Sequence, residues 1–316
     1  MVKWRSAKNL ISSYGIYLVF LLIFLLLTFL NKSFLTATNL INILKQTSTV
    51  SVVAIGMTFT LICGGLDLSA GSVMALAAVC SAKFGLPGEY PFIVPLLVAI
   101  GIGIVCGFIN GLFVAKGGVP AFIATLGMSQ AARGMALLVT NAMPIFGLSP
   151  EYVYLGSGKI QDIPVLVIVM LAVLAVATII LEMTRFGRHV YAIGGNETSA
   201  HISGINVVRV KMACYMIMGA LTGFCGILLA GRLQTGTPTM AEGYELDAIA
   251  GSVIGGVSSS GGVGKVYGAV VGSLLLTMIA NGLDLLNVSA YYQQIVKGAI
   301  IVFAVLIDVR TKGVKT

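Results

Sequence analysis

Residues 92–115 read FIVPLLVAIGIGIVCGFINGLFVA, without one charged side chain. A run of that length rises ~36 Å as a helix, enough to cross a hydrocarbon layer ~30 Å thick. Comparable apolar segments fall at 14–30, 47–63, 70–83, 121–140, 163–182, 208–231, 245–258, 265–286 and 291–308. In lipid a backbone can satisfy its own polar groups as a helix, so the chain is expected to be an all-α membrane protein. About ten transmembrane helices, in a single domain over residues 1–316, follow from that count. With 58% hydrophobic and 9% charged residues, nothing is left over for a soluble domain.

The chain carries 19 Lys and Arg against 11 Asp and Glu, a formal net charge of +8. These cations sit at the ends of apolar segments with no aromatic face beside them, so they report topology and not nucleic-acid binding. With the N-terminus inside, Lys3, Arg5, Lys8, Lys116, Arg185, Arg188, Arg209, Lys211, Lys265, Arg310, Lys312 and Lys315 are cytoplasmic. Only Lys32, Lys45, Lys83, Lys159 and Arg232 lie outside, which puts both termini in the cytoplasm. The basic start followed by 14–30 is like a secretory signal, but TFLNKS at 28–33 offers no small-residue cleavage site, so a retained first helix is expected. Residues 31–46 are too polar to span and read either as an amphipathic piece on the outer interface or as a loop. The outer segment 141–162, with its Pro and Gly, reads as irregular structure.

The longest polar interruption, 184–211, is cationic and lies between two apolar segments. Within it Gly194 and Gly195 permit a sharp turn, Asn196 is a good N-cap, 198–202 (Thr198, Ser199, Ala200, His201 and Ile202) suits a short helix, and Gly204 suits its C-terminal stop. Two readings stand on this pattern alone: a plain connecting loop, or a small helix held at the surface to receive a soluble partner.

The chain also matches itself. LDLSAGSV at 66–73 aligns with LDAIAGSV at 246–253, NGL at 110–112 with NGL at 281–283, and VPAF at 119–122 with VSAY at 288–291. The matches occur in order with a slowly drifting offset, as duplication leaves them. On the topology above, matching segments run in opposite directions, which gives two inverted five-helix repeats over approximately 14–140 and 163–308. The repeat pairs the two shortest spans, 70–83 and 245–258, each entered through an acidic turn with Asp67 or Asp247. Short segments in matching positions mark broken helices near a transport pathway. For the two carboxylates themselves, helix capping is the simpler role.

Catalytic and metal chemistry find no support. His189 and His201 lack a nucleophile, an acid pair or ligand spacing, and the five cysteines lie unpaired in apolar runs. The glycine-rich segment 255–265 fails the phosphate-loop pattern at both ends and reads as a helix break with close packing. No cofactor is expected in this chain, and any ATP is hydrolysed by another. Arg133 and Lys297 fall inside spans and call for partners among Glu242, Glu245, Asp247 and Asp284, with snorkelling as the alternative. Thr125, Ser129, Gln130, Tyr291, Tyr292, Gln293 and Gln294 lie on repeat-related spans. Their hydroxyls, amides and rings suit an uncharged polyhydroxylated solute, or helix packing. With Phe122, Asp67 and Asp247, the members Thr125, Gln130, Tyr291 and Gln294 form the candidate pathway.

Taken together, NLINIL at 39–44, GGLDLSAGS at 64–72, AFIATL at 121–126, GGNE at 194–197, SGIN at 203–206, GYELDAIA at 243–250 and YYQ at 291–293 resemble the membrane permeases of ribose-type sugar ABC importers. The resemblance covers almost the whole chain. It implies a multi-pass homodimer in the bacterial inner membrane, in contact with lipid, importing a monosaccharide or small polyol. It also implies separate cytoplasmic ABC ATPase subunits, which hold ATP and Mg, and a periplasmic sugar-binding protein. Gly194, Gly195, Asn196, Glu197, Thr198, Ser199, Ala200, His201, Ser203 and Gly204 then become the coupling surface for the ATPase, which favours the surface helix over the plain loop. Competing functions are an ion-coupled secondary transporter, a related permease for branched-chain amino acids or nucleosides, and a non-transporting scaffold.

Overall fold

The computed structural model describes residues 18–312. In chain order its helices are α1 (Leu18–Leu30), α2 (Ala37–Ile62), α3 (Ala70–Lys83), α4 (Ile93–Gly111), α5 (Ala121–Thr140), α6 (Pro150–Ser157), α7 (Val165–Thr178), α8 (Arg185–Gly195), α9 (Glu197–Ile202), α10 (Val207–Leu233), α11 (Tyr244–Ile254), α12 (Val266–Leu285) and α13 (Ala290–Lys312). π-Helical turns prolong α4 to Lys116 and α7 to Met183. One two-residue antiparallel ladder, β1 (Lys159–Ile160) with β2 (Ile163–Pro164), completes the described residues. Among the described residues six helices are long and apolar enough to cross a membrane: α2, α4, α5, α7, α10 and α12, the α4 and α7 spans including their π turns. The protein is therefore an all-α membrane protein. Leu18–Leu30, Ala70–Lys83 and Ala290–Leu306 are shorter apolar helices. The N-terminal cations, the start of the expected first span and the last four residues lie outside the described residues.

α10 forms the centre of the bundle and packs on α4, α2 and α3. Lipid tails are as apolar as Leu, so helices associate here through close packing and not through exclusion of water. The sequence provides for this with Ala99, Gly103, Gly107 and Gly111 at every fourth position of α4. That stripe meets Gly223, Gly219, Tyr215 and Met212 of the antiparallel α10 backbone to backbone. A Cβ on Gly103 would collide with the Gly219 carbonyl, whereas one on Gly101 would meet open space.

Three segments differ from the sequence expectation. Residues 31–46 do not form a loop set apart from the span that follows. After a short 3₁₀ turn, α2 starts at Ala37 and runs unbroken through the expected boundary. One of its polar residues is satisfied within the fold: half-buried Asn39 exchanges two amide hydrogen bonds at 2.9 Å with Asn281. The segment 141–162 contains α6, started by Ser149 as N-cap with Pro150 and Glu151 in the first turn. Its Tyr152 is fully buried and shares a 2.6 Å hydrogen bond with Ser81, so burial pushes its phenol pKa up. Finally, the span expected at 245–258 is a helix only over Tyr244–Ile254.

Replacing Gly103 by Val is expected to overpack the α4–α10 contact by about 1–3 kcal/mol. Gly101→Ala is expected to be silent. Size-exclusion profiles and thermal midpoints of the detergent-solubilised variants check both.

Candidate functional site

Two regions carry the features expected of a transport protein. The first lies at one end of the bundle, where α8 and α9 cover the break between α7 and α10. Thr184 caps α8 through Gly187 N (3.2 Å), and Asn196 caps α9 through Ser199 N (2.8 Å). Gly204, at φ +83°, turns the chain out of α9, and Asn206 caps α10 through Arg209 N (3.0 Å). Glu197 ties α9 to the N-terminal part of α10 by a 2.6 Å ion pair with Lys211. The result is a short helix clamped at both ends. Ala200 faces inward, Thr198, Ser199, His201, Ser203 and Gly204 face solvent, and Ile202 is 79% exposed at its tip.

Gly194 and Gly195 differ from expectation, since they end α8 as helix and do not form the turn. Gly194 has no side chain because the Ile62 carbonyl at the end of α2 and the Gly262 amide occupy that space. Gly262 N also donates to Ile62 O at 2.9 Å, and Gly261 and Gly262, both at positive φ, lie against Gly194 and Gly195. Tyr191 donates from its hydroxyl to Gly264 O at 2.7 Å, and burial raises its phenol pKa. Three elements, α8, the end of α2 and the glycine turn after α11, thus meet backbone to backbone.

The second region lies inside the bundle, where the short helices α3 and α11 begin beside each other. A Cβ on Gly71, in the first turn of α3, would collide with the Ala241 carbonyl and the Glu245 carboxylate of the α11 entry. The non-helical backbone leading into each helix finds partners within the protein, as a membrane interior requires. Asp67 Oδ1 accepts from Ser69 N (2.8 Å) and Ser69 Oγ (2.5 Å), and Asn110 donates to Ser69 Oγ (3.0 Å). Thr125 accepts from Leu68 N at 3.1 Å, and Tyr215 donates to Leu66 O at 3.3 Å. On the α11 side Arg133 donates to the carbonyls of Pro238 (2.6 Å) and Met240 (3.0 Å).

The sequence-derived residues divide accordingly. Asp67 and Thr125 come together, buried, as structural polar groups of the α3 entry. Asp247 does not cap α11: Gly243, at φ +81°, holds the N-cap position, and Asp247 pairs from the first turn with Lys297 of α13 at 3.0 Å. Arg133 hydrogen-bonds carbonyls, with Glu242 and Glu245 close enough to act only through their charge. Phe122 and Gln130 on α5, and Tyr291 and Gln294 on α13, face outward and do not meet one another within the chain. Sequence reasoning missed Tyr191, the Ser258–Ser259 hydroxyls and Asp308, which accepts from both serines. The two serines lie within the glycine-rich segment 255–265, but nothing local in the sequence joins that segment to Tyr191 or Asp308.

A bundle with paired interrupted helices and a capped surface helix wired to its interior defines a multi-pass membrane permease. The family described as the branched-chain amino acid transport system permease component matches residues 39–305, and the chain belongs to it. Ribose import permease protein RbsC of Bacillus subtilis is 42% identical over 93% of this chain and 92% of its own length. RbsC of Escherichia coli K12 is 42% identical over 88% of each chain, and the galactose/methyl galactoside import permease MglC of Haemophilus influenzae is 39% identical over 96% of each. The chain is thus a ribose-type permease of the ABC importers, a multi-pass protein of the inner membrane. No solved structure matches it.

Gly194→Ala is expected to push α8 off α2 and lower ATP-driven uptake, while Gly195→Ala, which meets open space, leaves it unchanged. Uptake by membrane vesicles of the two variants checks this contrast. For the α11–α13 pair, Lys297→Asp and Asp247→Lys are each expected to impair uptake and the double swap to restore it. No rescue in the swapped protein would count against a functional ion pair.

Proposed function

We propose that this chain forms the sugar-translocating half of an ABC importer, passing a ribose-like monosaccharide across the inner membrane by alternating access. The observation that carries the reading is the 42% identity to a ribose import permease over 93% of the chain. Two copies form the membrane unit. Supporting this, Phe122, Gln130, Tyr291 and Gln294 lie unpartnered on the outward faces of α5 and α13, where a second copy completes a polar and aromatic passage suited to a polyol. The ten apolar segments cross the membrane as two inverted five-helix repeats, with both termini in the cytoplasm. Consistent with alternate crossing of successive segments, α3 runs parallel to α5 through the Leu68–Thr125 and Ser72–Ser129 hydrogen bonds, while α4 runs antiparallel to α10.

The mechanism follows from rigidity at one end and looseness at the other. ATP with Mg is bound and hydrolysed on partner ATPase subunits, which grip α9. That helix is locked by two caps, and α8 before it rests on α2 and the glycine turn without side chains to absorb motion. A push on α9 therefore moves those elements together, and α5 and α13 open the passage alternately to each side. A periplasmic binding protein delivers the sugar.

Because the family description names branched-chain amino acids, an amino acid permease is the second reading. Proteoliposomes containing this chain with its ATPase and binding protein, and ATP inside, decide between them. Labelled D-ribose, D-galactose, D-allose and L-leucine are offered in turn. Sugar uptake that needs all components and ATP is the expected outcome; leucine uptake selects the second reading, and uptake by this chain alone on an ion gradient sinks both.

A further inference from the structure

α13 leans on α11 and α12, while Tyr291, Ile295, Val302 and Phe303 face outward. Among its polar ties, one reaches α11 and one reaches the turn after α11. Near its start Lys297 pairs with Asp247 of α11. Eleven residues on, about 16 Å along the helix, Asp308 holds the turn that follows α11. One carboxylate oxygen, Oδ2, accepts from Ser259 N at 3.0 Å, Ser259 Oγ at 2.9 Å and Ser258 Oγ at 3.5 Å. Ser258 Oγ in turn accepts from Ser260 N at 3.1 Å.

The same turn meets the surface-helix assembly on its other side. Tyr191 of α8 donates to Gly264 O, Gly262 N donates to Ile62 O, and Gly261 and Gly262 lie against Gly194 and Gly195. The turn between α11 and α12 is thus a physical link between α8–α9 and α13. As a peptide it is a poor one. Gly256, Gly261, Gly262 and Gly264 all hold positive φ, and glycine resists bending less than any other residue. A link made of glycine transmits a displacement only if something outside it fixes its shape. A carboxylate receiving charge-assisted hydrogen bonds from two adjacent residues does so.

We propose that Asp308 is a positioning residue for transport: by gripping Ser258 and Ser259 it stiffens the glycine turn into a strut that carries the motion of α8–α9 to α13. Tyr191 is the matching grip at the other end of the strut. The inference rests on the transport reading above and adds to it the route by which the surface helix reaches the face of α13 that carries Tyr291 and Gln294.

The test uses the complete importer in proteoliposomes, reading labelled D-ribose taken up per ATP hydrolysed, with co-purification of the ATPase as the check on assembly. Asp308→Ala is expected to lower uptake per ATP by about tenfold, the size of a typical coupling between sites, with the ATPase still bound. Asp308→Asn, which keeps an acceptor for Ser259, recovers most of the loss. Tyr191→Phe gives the same phenotype, and the double variant is no worse than the worse single one, because both changes cut one serial link. An unchanged ratio in Asp308→Ala, or losses that multiply in full in the double variant, overturns the proposal. Should Asp308→Ala fail to accumulate, Tyr191→Phe decides: a lowered ratio supports the strut and an unchanged one overturns it. Wild-type protein that takes up no sugar with ATP sinks the transport reading and this inference with it. Wild-type uptake with unaffected variants sinks only the inference.

Discussion

The constraint on which the rest of the structure depends is that backbone polar groups cannot be left bare inside an apolar bundle. A continuous helix meets it automatically, and most of this chain is continuous helix. α3 and α11 do not, because each begins in the interior after a stretch of open backbone. Several polar side chains of the bundle sit where that cost arises. Asp67, Ser69 and Asn110 close the turn before α3, Thr125 and Tyr215 reach in from α5 and α10, and Arg133 serves two carbonyls before α11. Of the residues expected along the pathway, Asp67 and Thr125 thereby also satisfy the backbone of an interrupted helix.

Glycine solves a second problem that the same interior creates. With no water to expel, helices are held by closeness, and closeness requires the side chain to be absent at the contact. The α4–α10 stripe and the α8–α2–turn junction use the same device for different ends. In the first it makes a fixed centre, and in the second it fastens a surface helix to that centre. The faces of α5 and α13 that carry Phe122, Gln130, Tyr291 and Gln294 lie away from both contacts and remain exposed.

Legibility in the sequence follows the range of the interaction. α9 is readable from Asn196 and Gly204 because capping acts over three or four residues. α6 was equally readable from Ser149, Pro150 and Glu151, and it is overlooked only when the Pro and Gly around it are taken as signs of irregularity. The unbroken start of α2 is harder, since Asn39, Lys45 and Gln46 look too polar until the exchange with Asn281 is seen. Gly194 and Gly195 invite a turn by local rules, and their helical state follows from a neighbour, Ile62, that is distant in sequence. Asp247 resembles Asp67 in its motif but ends in an ion pair, because Lys297 approaches it from another helix.

By itself the sequence determined that this is a helical membrane protein, where its apolar segments fall, which two are short, where a capped surface helix lies and which family of permeases it resembles. Each of these rests on composition, periodicity or contacts within a few residues, which the order of amino acids contains directly. The tertiary structure decided which polar groups serve the fold and which stay exposed, why particular glycines have no side chain, and that the surface helix and the last helix share one glycine turn. Those facts depend on segments tens to hundreds of residues apart being brought into contact, and only the packed bundle sets those distances.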